Sequence, residues 1–153
     1  MQETHLNNSE LNKLSYQWIY GSIQSPAINN SGGVAILYNK TFFDEIIEAK
    51  TYPNGRICSL LAKREDELFF FINIYAPNNN VEMLSFLEEV EEARWETNDR
   101  HPNALIITSG DFNLVLNPEL DSINRVQTNS ELAAITYLKE IMIRFNIVTV
   151  IVV

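Results

Sequence analysis

Hydrophobic and polar positions follow two different periods along the chain, and this predicts a mixture of strands and helices. Short apolar runs predict four strands, at Val34–Tyr38, Ile57–Ala62, Leu68–Tyr75 and Ala104–Thr108. The third run opens with five consecutive apolar residues, which is typical of a strand covered on both faces. Residues 25–33 are rich in Ser, Pro, Asn and Gly and predict a loop.

Two longer segments have helical spacing. The first follows Asn79-Asn80, and its predicted buried face is Val81, Leu84, Leu87, Val90 and Ala93. The second begins with Thr128 and Glu131 in capping-box spacing, and its predicted buried face is Leu132, Ile135, Leu138, Met142 and Phe145. A shorter helix is predicted to begin within 7–10 and to bury Leu11 and Leu14. Strands and helices mixed in this order predict a layered α/β domain.

The length of 153 residues predicts a single domain spanning the chain, and its composition of 46% apolar residues is that of a globular protein. No apolar run is long enough to cross a membrane. The polar, acidic start at Met1–Leu6 is not a secretory signal, which predicts an intracellular protein whose compartment the sequence does not assign. The single cysteine, Cys58, excludes a disulfide framework.

The net charge of −9 excludes sequence-independent binding of nucleic acid through a basic stripe. If this chain handles nucleic acid, a metal ion or a further segment must therefore supply positive charge.

Polar side chains follow two of the predicted strands. Gly110-Asp111-Phe112-Asn113 comes directly after a buried strand, where open α/β sheets usually bind ligands. An acid and an amide held by a turn can direct oxygens at a cation or a water, although a plain Asx turn with a buried Phe explains the same residues. Tyr75-Ala76-Pro77-Asn78 ends another strand, where the phenol and Asn78 could hold phosphate oxygens; an ordinary strand exit is the alternative. Glu3 offers a hard carboxylate ligand for magnesium, unless the terminus is frayed and exposed.

Five segments, read in order, resemble one family. They are Gln2–His5, Ser31–Leu37, Asn73–Asn78, Gly110–Asn113 and Leu120-Asp121. In this order and at these spacings the chain resembles the endonuclease/exonuclease/phosphatase (DNase I-like) superfamily, and most of all the apurinic-endonuclease-like domains of non-LTR retrotransposons. The resemblance runs from Gln2 to about Phe145.

This resemblance implies an α/β (α+β) fold, namely part of a four-layer α/β sandwich, and a magnesium- or manganese-dependent phosphodiester hydrolase acting on DNA. By the same resemblance Glu3 is the metal ligand, and Tyr75 contacts the scissile phosphate. Asp111 orients or deprotonates the attacking water, and Asn113 holds phosphate or water beside it. In a full-length element the domain is expected to be fused to a reverse transcriptase.

The chain also departs from the family pattern. The family has a strand with a metal-site asparagine upstream of the glutamate, and a late Ser-Asp-His motif; neither occurs here, and neither histidine follows Asp111. The expectation is a domain truncated at both ends, inactive alone, with exposed edges that favour oligomers or aggregates. A catalytically dead remnant or binding module is one alternative function, and a phosphatase or lipid phosphodiesterase of the same superfamily is another.

Overall fold

The computed structural model of the chain describes residues 1–28, 31–115, 128–144 and 150–151. Within these residues the helices are α1 (Asn12–Gln17), α2 (Asn80–Arg100) and α3 (Asn129–Arg144). The strands are β1 (Gly21–Ser25), β2 (Val34–Tyr38), β3 (Glu45–Thr51), β4 (Ile57–Arg64), β5 (Glu67–Tyr75), β6 (Leu105–Asp111) and β7 (Val150–Ile151). None of the described helices has both the length and the apolar character needed to cross a membrane.

The strands form a two-stranded antiparallel ribbon, β1–β2, and a five-stranded sheet of order β3-β4-β5-β6-β7. Neighbouring strands from β3 to β5 are antiparallel, whereas β6 is parallel to both β5 and β7. A parallel pair requires a crossover connection, and α2 lies in the one that joins β5 to β6.

Alternate side chains of β5 enter two different cores. Phe70, Ile72 and Ile74 pack with the buried faces of α2 and α3. Tyr75 lies on the other side of the sheet, in a cluster with Ile23 of β1 and Val34 of β2. The described residues therefore form a ribbon, a central sheet and a layer of helices, which is the mixed α+β class that the sequence predicts.

The hydrophobic pattern did not predict two of the strands, β1 and β3. β1 has only one large apolar residue, Ile23, so its alternation is not visible in the sequence. Ser25, placed in a loop by the sequence, is its last residue. β3 is the edge strand of the sheet and alternates between exposed and half-buried positions along its whole length. Both strands are recognised only through their partners, because a half-covered strand needs few large apolar residues.

The predicted buried faces of both long helices are partly wrong. On α2, Val81 is 82% exposed and Leu84 is 38% exposed, while Met83 and Phe86 are buried. On α3, Leu132 is 46% exposed, while Ala134 and Ile141 are buried alongside Ile135 and Leu138. Each helix presents to the sheet a face rotated from the predicted one, because packing against the partner selects the face when apolar residues occur on several sides.

Other predictions agree with the structure or cannot be compared with it. The capping bond of α3 is present, since the backbone N–H of Glu131 donates to the hydroxyl of Thr128 at 3.2 Å. The prediction that β5 is covered on both faces holds only in part. Phe70, which faces the helices, is 3% exposed, whereas Phe69 and Phe71 on the other face are half-buried. The predicted Leu120-Asp121 motif and Phe145 lie outside the described residues.

Candidate functional site

The candidate site lies at the edge of the sheet where β5 and β6 end. Because these strands are parallel, their carboxyl ends meet at one edge, and Tyr75 is the direct partner of Asp111. Gly110 permits this close pairing, since its φ is +140° and a Cβ there would lie 2.0 Å from the carbonyl oxygen of Ile74. The last polar side chains of both strands therefore stand next to each other.

Asn113 closes the turn that follows β6. Its backbone N–H donates to Oδ1 of Asp111 at 2.9 Å, and its side-chain Nδ2 donates to the carbonyl oxygen of Ala76 at 2.6 Å. Its φ of 47° is left-handed, a conformation that asparagine tolerates better than most residues. The Asx turn offered by the sequence as the plain alternative is thus present, with Phe112 buried beneath it. Within the described residues no protein group donates to the second carboxylate oxygen of Asp111.

The segment that carries Glu3 is anchored and not frayed. The amino group of Met1 donates to the carbonyl oxygen of Ala35 at 2.8 Å. The N–H of Thr4 donates to the carbonyl oxygen of Gly33 at 3.0 Å. Gly33 has a φ of +85°, and a Cβ there would lie 2.4 Å from the hydroxyl of Thr4. Glycine at this position therefore lets the N-terminal segment lie against the start of β2.

Glu3 reaches the same edge of the sheet. The phenol of Tyr75 donates to Oε1 of Glu3 at 2.5 Å. This hydrogen bond, together with burial and the negative charges of Glu3 and Asp111, raises the pKa of the Tyr75 phenol. Tyr75 therefore remains a protonated donor between two carboxylates.

The structure thus brings together four of the residues that the sequence singles out: Glu3, Tyr75, Asp111 and Asn113. The fifth, Asn78, is exposed and lies three residues beyond the end of β5. Among the described residues it makes no hydrogen bond to any of these four.

Asn73 opens the Asn73–Asn78 segment, but the sequence analysis assigned it no role; in the structure it anchors the N-terminal segment that carries Glu3. Asn73 is 2% exposed and uses its whole amide. Nδ2 donates to the carbonyl oxygens of Met1 and Ala35, at 2.8 and 3.2 Å. Oδ1 accepts from Nε2 of Gln2 at 2.9 Å and from the hydroxyl of Ser109 at 3.4 Å. The sequence signals for it were its place at the head of the Asn73–Asn78 segment and its polarity within an apolar strand.

Arg56 was also missed, and it brings positive charge to the site. Its guanidinium lies 5.3 Å from the ring centre of Tyr75 and donates to the Tyr75 carbonyl oxygen at 3.3 Å. In the sequence Arg56 is an ordinary basic residue after a turn. The antiparallel pairing of β4 with β5 is what sets it opposite Tyr75.

The donor chemistry of the site fits a hard divalent cation. Magnesium takes one or two protein carboxylates and completes its shell with waters and phosphate oxygens. Glu3 and Asp111 provide two carboxylates near Tyr75. No cluster of three or more His, Cys, Asp or Glu that could hold a metal occurs in the described part of the chain. A site of this kind would therefore depend on substrate oxygens and waters for most of its ligands.

No protein-family model matches the chain. An uncharacterized 149 kDa protein of transposon TX1 from Xenopus laevis is 28% identical over 150 residues, covering 98% of this chain and 11% of that protein.

Several solved structures are similar to this chain. TDP2 from Caenorhabditis elegans matches with a TM-score of 0.54 at 18% identity, over 80% of this chain and 39% of that one. TDP2 from D. rerio, complexed with a single-strand DNA product, matches with a TM-score of 0.50 at 16% identity, over 75% and 47% of the two chains. The endonuclease domain of TRAS1, a telomere-specific non-LTR retrotransposon, has a TM-score of 0.49 at 16% identity, over 78% and 51%.

This chain spans about half or less of each of these proteins. The likeness to the matched C. elegans TDP2 structure extends over 80% of this chain. The chain has the DNase I-like fold.

Proposed function

We propose that this chain carries the metal- and phosphate-binding part of a nuclease site that acts on the phosphodiester backbone of DNA. The observation that supports this most is the meeting of Glu3, Tyr75 and Asp111 at one edge of the sheet, although Glu3 is more than seventy residues from Tyr75 in sequence. Unrelated strand exits and a loose terminus have no reason to converge.

Each residue of the site has a distinct role in this proposal. Glu3 would hold Mg²⁺ or Mn²⁺, with Asp111 nearby, and the ion would neutralise charge that develops on the phosphoryl oxygens. With the Glu3 carboxylate taken up by the ion, the phenol O–H of Tyr75, which otherwise donates to Glu3, would turn to donate to a phosphate oxygen. Asp111 accepts a proton from the attacking water through the oxygen that Asn113 does not occupy.

Three further residues complete the proposed site. Asn113 fixes the turn through its bond to Ala76 and so holds the Asp111 carboxylate in place. Arg56 provides the fixed positive charge, and Asn78, at the exposed exit of β5, contacts the substrate.

DNA is the proposed substrate class. The matched D. rerio TDP2 is complexed with a single-strand DNA product, and the matched Xenopus laevis protein belongs to a transposon. A divalent ion also explains how a chain with a net charge of −9 approaches a polyanion. As part of a transposon-encoded protein, the domain would act together with a reverse transcriptase.

A second candidate is phosphodiester binding without turnover. The specific observation in its favour is that the sequence has no Ser-Asp-His motif and no histidine after Asp111. Both candidates require the same cation- and phosphate-binding edge and differ only in whether the bond is cleaved.

The test of this edge is binding of a fluorescein-labelled DNA duplex, followed by anisotropy in Mg²⁺ and in EDTA. We expect Mg²⁺-dependent binding that is about tenfold weaker in Glu3→Gln, because removing a metal-site group typically lowers affinity by this order. Glu45→Gln is the matched control, since Glu45 is exposed at the start of β3, at the opposite end of the sheet. Equal binding in EDTA, or in Glu3→Gln, would contradict the proposal.

A further inference from the structure

A cavity of about 220 Å³ opens beside the candidate site. It lies between the turn before β4, the exit of β5 and the first turns of α2. The residues that line it and matter here are Asn54, Arg56, Pro77, Glu82, Phe86 and Glu89.

The cavity and the candidate site share Arg56. One side of this guanidinium covers the Tyr75 ring, while the residue also lines the cavity. Pro77, two residues past Tyr75, is fully buried in the wall. A nucleotide whose phosphate contacts Tyr75 and Arg56 therefore has a neighbouring nucleotide within reach of this cavity.

The side chains of α2 offer hydrogen-bond acceptors to the cavity, whereas the Arg56 guanidinium offers N–H donors at the wall shared with Tyr75. Both ends of the Asn54 amide are used, since Nδ2 donates to Oε2 of Glu89 at 2.6 Å and Oδ1 accepts from the N–H of Arg56 at 2.9 Å. Oε1 of Glu82 accepts a 3.4 Å bond from Asn79. The other carboxylate oxygen of each glutamate has no protein donor within the described residues. Buried Phe86 and Pro77 supply apolar wall.

We propose that this cavity is a base-reading subsite, which takes a nucleobase with an exocyclic amino group from the nucleotide next to the bound phosphate. This rests on the proposed function. Carboxylates accept hydrogen bonds from amino groups such as N4 of cytosine. Thymine has no amino group, and its single donor, N3–H, lies between two carbonyl oxygens that the glutamate carboxylates repel, so thymine is disfavoured.

The test uses the full chain with Mg²⁺ and the dinucleoside monophosphates d(TpC), d(CpT) and d(TpT), with binding followed by amide chemical shifts in NMR. Either d(TpC) or d(CpT), according to the side of the phosphate on which the subsite lies, should bind roughly tenfold more tightly than d(TpT), because one well-placed base contact discriminates by about this factor. The amides of Phe86 and Glu89 should shift with the preferred ligand.

The discrimination should disappear in the double variant Glu82→Ala/Glu89→Ala. Glu88→Ala/Glu92→Ala removes the same charge from exposed positions of α2 outside the cavity and should preserve it. Equal affinity for all three dinucleotides, with shifts at Tyr75 and Asp111, would overturn the subsite and leave the proposed function standing. Saturating shifts at Phe86 and Glu89 with Mg²⁺ alone would show a cation pocket and also overturn it. No shift at Tyr75 or Asp111 with any dinucleotide would contradict both proposals.

Discussion

Asn73 is the residue on which the placement of Glu3 depends most. Its amide joins β5 to three other parts of the molecule, since it bonds Met1 and Gln2 of the N-terminal segment, Ala35 of β2 and Ser109 of β6. Removing one partner from such a buried set leaves the others unsatisfied, which costs more than the bond itself contributes. Asn73 is therefore a positioning residue for the N-terminal carboxylate.

We expect Asn73→Asp to lower the free energy of unfolding by at least about 2 kcal/mol, because a carboxylate of the same shape cannot donate to the two carbonyl oxygens and places a charge in a buried position. Urea denaturation followed by circular dichroism measures this. Asn103→Asp is the matched control, since Asn103 is exposed, and its stability should change by less than about 0.5 kcal/mol. Equal effects of the two substitutions would show that the Asn73 network contributes little.

At the scale of elements, the pairing of β5 with β6 decides where Asp111 stands. The register joins Asn73 to Ser109, Ile74 to Gly110 and Tyr75 to Asp111. At Gly110 the backbone approaches Ile74 so closely that no side chain fits, and its φ of +140° is itself unfavourable for other residues. The position of Asp111 at the end of β6 therefore depends on the glycine that precedes it.

Gly110→Ala should lower the free energy of unfolding by about 3 kcal/mol, because the new methyl group meets backbone atoms that cannot move aside. Thermal and urea unfolding measure the loss. Ser109→Ala, one residue earlier on the same strand, should cost only about 1 kcal/mol, for its 3.4 Å bond to Asn73. If the two variants were equally stable, β6 would have more freedom than this register allows.

The two long helices are tied together by a second tyrosine–carboxylate pair. The phenol of Tyr137 on α3 donates to Glu91 on α2, and Arg144 bonds the other oxygen of Glu91 at 2.7 Å. The hydrogen bond to Glu91, with burial and the charge of Glu91, raises the pKa of Tyr137 to about 12. The ordinary value of 10.0 applies when the chain is unfolded.

Tyr137→Phe should be less stable than the wild type by about 1 kcal/mol at pH 8, for the loss of this hydrogen bond. Because the folded pKa is raised, the stabilisation is fully present below pH 10 and is lost as the pH rises through about 12. The difference between the two proteins in urea denaturation should therefore shrink from pH 10 to pH 11.5. A difference that stays constant over this range would show that Glu91 does not hold the phenol.

For the whole molecule, where the negative charges lie matters more for DNA binding than the net charge does. α2 holds seven of the twenty acidic residues and packs on the opposite side of the sheet from Tyr75. Apart from Glu82 and Glu89, which line the cavity beside Arg56, the acidic residues of α2 are thus separated by the sheet from the proposed DNA-binding edge. The oligomers expected from exposed edges stay a prediction, which a sizing column tests.

The chain by itself should not nick supercoiled plasmid DNA in Mg²⁺ above background. The sequence has no histidine after Asp111 that could act on the phosphate as an acid or base. The loss of such a group typically lowers rates by about 10²- to 10⁴-fold. Gel electrophoresis of the plasmid measures this. Nicking that requires Mg²⁺ and vanishes in Asp111→Ala would contradict the expectation and favour the catalytic candidate over binding without turnover.

The sequence by itself determined the mixed fold, four strands, the two long helices and the polar residues Glu3, Tyr75, Asp111 and Asn113. These are local features, because apolar periodicity and turn residues reflect the preferences of short segments. The motif order added the DNase I-like fold, which the match to TDP2 confirms.

Only the tertiary structure decided which residues meet. Arg56 has no local signature, and Asn73, although it opens a motif segment, has no role that the motif assigns. Their roles arise from the pairing of β4 with β5 and from contacts to a segment more than seventy residues away. The buried faces of α2 and α3 and the edge strand β3 were decided in the same way, by what each packs against. Contacts between distant segments depend on the whole fold, and no short window of sequence contains them.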